Sequence, residues 1–225
     1  TRAWKLEFAL ESDYDRDTFE RDSTIVSVQR EHDFDGEVVK SIGDHFAVGL
    51  SSSAFSSTFS NVQFGTELQP AAEYNVYPYR LSDQKELTIT YRVGPEYRDY
   101  DEITIFRKRQ QLLAEQSLDV SLDLNRPWGR VFASVEGSHF FHDLTKNRMQ
   151  LFSWVNVRLV EGLSLRLQFG LERVRDQLAL PAGGASLEEI LLRRRELQTD
   201  YEIDASIGLS YTFGSIYNNV VNTRL

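Results

Sequence analysis

From Tyr201 to Phe213 the chain alternates without a break. Tyr201, Ile203, Ala205, Ile207, Leu209, Tyr211 and Phe213 interleave with Glu202, Asp204, Ser206, Gly208, Ser210 and Thr212. Successive side chains of an extended strand point to opposite sides, so a run of this kind specifies a strand with one apolar and one polar face. A helix would scatter these residues around its axis. The same period recurs in Leu163, Leu165, Leu167, Phe169 and Leu171, in Leu87, Ile89, Tyr91 and Val93, and in Trp4, Leu6, Phe8 and Leu10. The pattern predicts an all-β chain of about ten strands, at residues 3–14, 21–33, 43–57, 62–78, 85–97, 112–124, 128–141, 148–160, 162–177 and 198–213. Most are far longer than the roughly five or six residues of an average globular strand, and they match the roughly 9–11 residues that a tilted strand needs to cross a bilayer.

The connections carry a second pattern. Asn125-Arg126-Pro127 and Glu161-Gly162 are tight joins and 79–84 is short, whereas about 98–111, 142–147 and 178–197 are longer and polar. Short turns at one end and long loops at the other are the arrangement of outer-membrane barrels. Two joins fit it poorly: 34–42 is long for a short turn, and 58–61 is short for a long loop. An even strand number puts both termini at the short-turn, periplasmic end. The expected organisation is a single antiparallel up-and-down transmembrane β-barrel over residues 1–214, followed by a periplasmic tail at 215–225.

Alternation alone also suits a soluble lipocalin-like barrel, whose apolar face turns inward around a ligand. The polar face separates the two. A water-facing surface favours long solvated side chains, yet only five Lys occur in the chain. The polar face is instead rich in small residues, among them Gly49, Ser51, Ser53, Gly65, Gly94, Ser121, Ser134, Gly170, Ser206 and Gly208. The same face carries Glu7, Glu67, Glu73, Asp119, Asp123, Glu136, Glu172 and Asp204 together with Arg92, Arg158 and Arg166. In an interior these charges neutralise one another; facing lipid at mid-depth, each Arg would cost about 2–4 kcal/mol and each carboxylate less. The expectation is therefore a lumen filled by a charge network, with the apolar face in lipid. Aromatics are expected in two belts at headgroup level: Trp4, Tyr77, Tyr79, Trp128, Tyr211 and Phe213 toward the short turns, and Tyr97, Tyr100, Phe140, Phe141 and Tyr201 toward the long loops.

Composition excludes several classes. The formal charge of −9 lacks the basic footprint of a nucleic-acid binder. With no cysteine, neither a disulfide framework nor a thiolate metal site is available. No apolar stretch is long enough for a transmembrane helix, and a secretion leader is expected to have been removed.

Ser206, Gly208, Tyr211 and Phe213 read polar-x-Gly-x-x-aromatic-x-aromatic. This resembles the signal by which the barrel-assembly machinery recognises outer-membrane barrels. It is followed here by Ser215–Leu225, and Leu225 stands where a terminal aromatic is usual. Longer blocks, Glu73-Tyr74-Asn75-Val76-Tyr77-Pro78-Tyr79, Arg126-Pro127-Trp128-Gly129, Glu136-Gly137-Ser138-His139 and Tyr211 through Asn222, resemble bacterial outer-membrane β-barrel proteins of unknown function related to the salt-stress-induced outer-membrane protein family. The resemblance implies an outer-membrane barrel and brings no catalytic residues.

Three features bear on chemistry. His139, His142 and Asp143 form the cluster most suggestive of catalysis, but His139 and His142 fall on opposite faces of a strand, and a surface loop is the simpler assignment. The inner carboxylates Glu7, Glu67, Glu136, Glu172 and Asp204 suit a cation in oxygen chemistry, but the arginines sharing their face favour an ion-pair network. Ser186-Leu187-Glu188-Glu189 is a capping box that predicts a short helix in the long loop Pro181–Leu197. Its exposed surface would comprise Glu188, Arg193, Arg194 and Arg195, suited to lipopolysaccharide phosphates or a partner, but a short helix simply packed over the barrel mouth is the favoured assignment. The expected role is structural or interaction-based, without cofactor, with outer-membrane lipids, lipopolysaccharide, the assembly machinery and other envelope proteins as partners. A narrow channel for small solutes or ions is the alternative, and a membrane-embedded hydrolase a more distant one.

Overall fold

The computed structural model describes residues 4–20, 24–183 and 199–213. All ten strands are present in one antiparallel sheet whose spatial order is the chain order. They are β1 (Trp4–Glu20), β2 (Thr24–Ser41), β3 (Phe46–Ser57), β4 (Val62–Asn75) and β5 (Lys85–Tyr100), then β6 (Gln110–Arg126), β7 (Gly129–Phe140), β8 (Asp143–Val160), β9 (Leu163–Val174) and β10 (Tyr201–Tyr211). A 3-10 turn at Tyr79–Leu81 is the one helical element among the described residues.

Register keeps each face chemically uniform. On one face Asp119, Glu136, Gln150, Glu172 and Glu202 are successive cross-strand neighbours from β6 to β10. One residue along each strand, the opposite face carries Val120, Val135, Leu151, Leu171 and Ile203. A slip of one residue would exchange the two rows, so this patterning fixes the register.

Burial is the reverse of a soluble protein's. The polar face holds the buried groups, among them Gln69, Thr88, Thr90, Glu96 and Ser117. The apolar face is exposed or half-exposed, with Phe169 at 40% and Ile207 at 75%. The polar face is also the enclosed one: Glu31 and Asp33 of β2, Arg98 of β5, Arg148 of β8 and Glu202 of β10 all line a single cavity of about 600 Å³. The sheet therefore curls around its polar side. Among the described residues the hydrogen-bonded ladder joins consecutive strands only, leaving β1 and β10 as its two edges.

Three connections differ from expectation. The segment 34–42 is strand up to Ser41, with Phe34, Gly36 and Val38 on the apolar face paired to Leu10, Phe8 and Leu6. Its acids Asp35 and Glu37 look like loop residues but share the polar face with Asp33 and point into the lumen. The actual turn is only 42–45, where Gly43 has φ +93° and the Ile42 N–H donates to the Phe46 carbonyl at 2.7 Å. The segment 142–147 is not a long loop, because β8 begins at Asp143 and β7 joins it through Phe141-His142. The join at 98–111 shortens to 101–109 as β5 and β6 run on.

Two of the expected belt residues on the long-loop side turn inward. Tyr100 and Phe140 share the phase of Glu96 and Glu136, and each is only 1% exposed. They pack against the start of the β9–β10 connection: Tyr100 with Val62 and Ala179, and Phe140 with Leu113 and Leu178. Tyr79 also turns toward the polar face, where its hydroxyl donates to Glu73 Oε1 at 3.0 Å.

Candidate functional site

The enclosed polar face contains three cavities with shared walls. The first, about 600 Å³, lies under the β9–β10 connection. A second of about 540 Å³ is lined by Glu7 and Asp35 on one side and Arg92 and Glu136 on the other. A third, about 170 Å³, is bounded by Glu67, Gln69, Glu115, Ser117, Glu136, Ser138, Arg148 and Gln150. Arg148 is common to the first and third, and Glu67, Gln69 and Glu136 to the second and third. The third is thus a waist between two wider spaces.

The waist is built by strand phase. Glu67 on β4 pairs directly with Glu96 on β5, and Glu96 sits opposite Leu113, one diagonal step from Glu115 on β6. The residue facing Glu115 on β5 is Gly94. A side chain there would meet the Leu68 carbonyl oxygen at 2.0 Å, so the backbones of β4 and β5 approach closely only because Gly94 has none. Pro70 and Pro95 flank this contact and lack N–H donors. The β4–β5 ladder pairs Glu67 with Glu96 and Ala71 with Arg92 and is interrupted between them.

Charges in the lumen are only partly compensated. Arg98 Nε donates to Glu96 Oε1, and Gln69 Nε2 donates to Glu67 Oε1. Arg148 bridges Glu172 and Asp176, the latter at 2.8 Å. Nearer the short turns, Arg130 makes a two-pronged contact to Asp123 and lies over the Trp154 ring, 5.3 Å from its centroid. Phe132 and Phe152 join Trp154 to fill that part of the lumen. Lys5 bridges Glu7 at 2.7 Å and Glu37 at 3.7 Å.

All eleven residues of the expected charge network share the polar face, by register. Their pairing differs from expectation. Among the described residues Arg92, Arg158 and Arg166 form none of the ion pairs; Lys5, Arg98, Arg130 and Arg148 do. Strand phase fixes a face, but an ion pair also requires equal height on neighbouring or facing strands, which phase does not encode. Arg92 still interacts electrostatically with both Glu67 and Asp119. Glu96, Arg98, Glu115 and Arg148 were outside the expected set, although extending the phase of Arg92 and Gly94 past Pro95 would have reached Glu96 and Arg98.

The histidine cluster does not assemble a catalytic pair. His139 lies on the apolar face, its Nε2 2.6 Å from Gln116 Nε2, and Gln116 Oε1 accepts from the Tyr91 hydroxyl at 2.5 Å. His142 is in the two-residue join. Asp143 Oδ1 is engaged by Thr145, accepting from its N–H at 3.0 Å and its hydroxyl at 2.6 Å. The assembly-signal residues Ser206, Gly208 and Tyr211 lie on β10 with Phe213 just beyond, Ser206 and Gly208 toward the lumen and the aromatics on the apolar side. The expected helix surface, Glu188 and Arg193–Arg195, and the tail 215–225 lie outside the described residues. In the 3-10 turn, burial and then the neighbouring Glu73 carboxylate push the Tyr79 hydroxyl above its ordinary range.

The long-loop mouth is capped. Residues 175–183 cross the 101–109 connection, where Thr104 bridges to Pro181 and the Ile105 N–H donates to the Leu180 carbonyl at 2.8 Å. Asn61 locks them from below: its Nδ2 donates to the Ala179 carbonyl at 2.7 Å and to the Glu102 carbonyl at 3.1 Å, and its Oδ1 accepts from the Glu102 N–H at 2.8 Å. Compared with protein families, curated proteins and solved structures, the chain matches none.

Proposed function

We propose that the protein is a bacterial outer-membrane β-barrel with a structural or interaction role and a mostly closed lumen. The observation that carries this is the inverted burial, an apolar face exposed along the sheet against a polar face that is enclosed. Soluble monomers rarely expose contiguous apolar patches beyond a few hundred Å². In hydrocarbon the same surface is favourable, provided every backbone group is paired in the ladder. Strands of 11 to 18 residues meet or exceed the roughly 9–11 needed to span. Their extra length on the β1–β2 hairpin suits an extension beyond the membrane.

On this reading Ser206, Gly208, Tyr211 and Phe213 address the barrel-assembly machinery, and the chain is kin to the salt-stress-induced outer-membrane proteins whose sequence blocks it resembles. The loop-end surface meets lipopolysaccharide and other envelope proteins. The barrel is tested by electrophoresis: protein folded in detergent should migrate differently before and after boiling, and identical migration would refute the reading.

The shared cavity walls favour a second reading, a narrow ion path through the waist. Single-channel recording in a planar bilayer separates the two. Silent membranes are expected for a closed lumen, and resolvable steps assign the narrow channel instead.

A further inference from the structure

We infer that Glu67, Glu96 and Glu115 form a binding site for one divalent cation, of calcium's size, at the waist of the lumen. One carboxylate oxygen of each lies within 4.8 Å of those of the other two. Glu96 is only 2% exposed, and its Oε2 is buried without a hydrogen-bond partner, while its Oε1 is taken by Arg98. A buried carboxylate oxygen without a donor is a strained arrangement unless something positive reaches it.

Local charge points the same way. Three carboxylates face the single guanidinium of Arg98, which leaves two negative charges over. The other nearby cations are shared: Arg92 acts on Asp119 as well as Glu67, and Arg148 is held by Glu172 and Asp176. Glu136 lines the same small cavity and adds to the excess. A single divalent ion balances two of these uncompensated charges.

Donor chemistry and coordination geometry select the ion. All the donors are oxygens, which excludes soft metals and suits calcium or magnesium. Two oxygens bound to one calcium at about 2.3–2.6 Å stand up to about 5 Å apart, so oxygens within 4.8 Å of one another fit it, whereas magnesium demands regular octahedral geometry and sheds its waters reluctantly. Three carboxylates on three adjacent strands, with Oε1 of Glu67 and of Glu96 already hydrogen-bonded, supply up to four further oxygens in irregular geometry, as calcium tolerates. Enclosure of this face is sufficient for the site; it does not depend on the face outside being in lipid.

The test uses the full chain refolded into a synthetic detergent, free of lipopolysaccharide, which itself binds divalent ions. Calcium chloride should raise the thermal midpoint in a saturable way, more than equal ionic strength of sodium chloride, because an ion that binds only the folded state stabilises it by mass action. Magnesium chloride should act at least tenfold more weakly. Glu96→Gln and Glu115→Gln should each lower calcium affinity at least tenfold, while Glu7→Gln, on β1 away from the waist, should leave it unchanged. Boiled and unboiled migration on the same samples shows which variants are folded, so that loss of the barrel is distinguished from loss of the site. A wild-type midpoint indifferent to calcium overturns the inference, as does a calcium effect that survives in folded Glu96→Gln. If stability instead rises with acid and ignores calcium, protons hold the cluster together and the cation site is excluded.

Discussion

Glu96 and Gly94 show how much one strand position can decide. Both lie on the polar face of β5, two residues apart, yet they do opposite things. Glu96 puts a buried carboxylate beside those of Glu67 and Glu115, which line the waist, and Gly94 withdraws a side chain so that β4 can close on β5. A methyl group at Gly94 would stand 2.0 Å from the Leu68 carbonyl oxygen, a backbone atom that cannot rotate away. Gly94→Ala is therefore expected to destabilise the folded state by about 1–3 kcal/mol, the usual range for forced overpacking. Gly137 is the matched control: it is also a strand glycine, but a Cβ there meets nothing within 4 Å. In urea unfolding followed by tryptophan fluorescence, the midpoint should fall for Gly94→Ala and hold for Gly137→Ala. Equal midpoints for the two variants would show that β4 and β5 have room the contact denies.

Among the elements, the strands were more legible than what joins them. Period two survives wherever an apolar residue marks every second position, as in β9 and β10, and these strands were placed to within about three residues. In β2 the mark fades: Gly36 stands in the apolar row, and the inward row is Asp33, Asp35 and Glu37, so a lumen surface looked like a polar loop. Asp143 and Lys146 disguised the start of β8 in the same way. The cap at 175–183 was invisible because no local period encodes it. It is defined by long-range contacts, above all from Asn61, whose backbone takes φ 58°, a left-handed conformation that Asn tolerates better than most residues. The two substitutions at this position separate conformation from hydrogen bonding. Asn61→Gly keeps the backbone angle free of strain but leaves the Ala179 and Glu102 carbonyls without their amide donor. If those bonds hold the cap, Asn61→Gly and Asn61→Ala should both open it, at a net cost of about 1–3 kcal/mol for the unsatisfied buried groups. Limited proteolysis should then cut near 175–183 faster in both variants. Cutting that rises only in Asn61→Ala would assign the effect to the backbone angle instead.

At the scale of the whole molecule, the two free edges are the feature that most constrains the proposed setting. β1 and β10 each present a row of backbone donors and acceptors, and the strands are exposed from Trp4 to Arg16 and from Tyr201 to Tyr211. In water such edges template aggregation; in hydrocarbon each unpaired group costs several kcal/mol, so an open edge does not persist there. The sheet already curls far enough for Glu31 of β2 and Glu202 of β10 to line one cavity. With an even number of alternating strands, β1 and β10 run antiparallel, so they can complete the ladder directly. The prediction is that they do so once the protein is in a bilayer. The chain has no native cysteine to interfere, so Phe8→Cys on the apolar face of β1 can be combined in turn with Ile203→Cys, Ala205→Cys, Ile207→Cys and Leu209→Cys on the apolar face of β10. Direct closure brings one of these pairs to cross-strand distance, where Cβ atoms stand about 4.5–5.5 Å apart, and that pair should oxidise quickly in liposomes while its neighbours two residues away lag. Uniformly slow oxidation across the series would mean that another strand, from a second copy or from elsewhere, stands between β1 and β10, and that this sheet is one arc of a larger barrel.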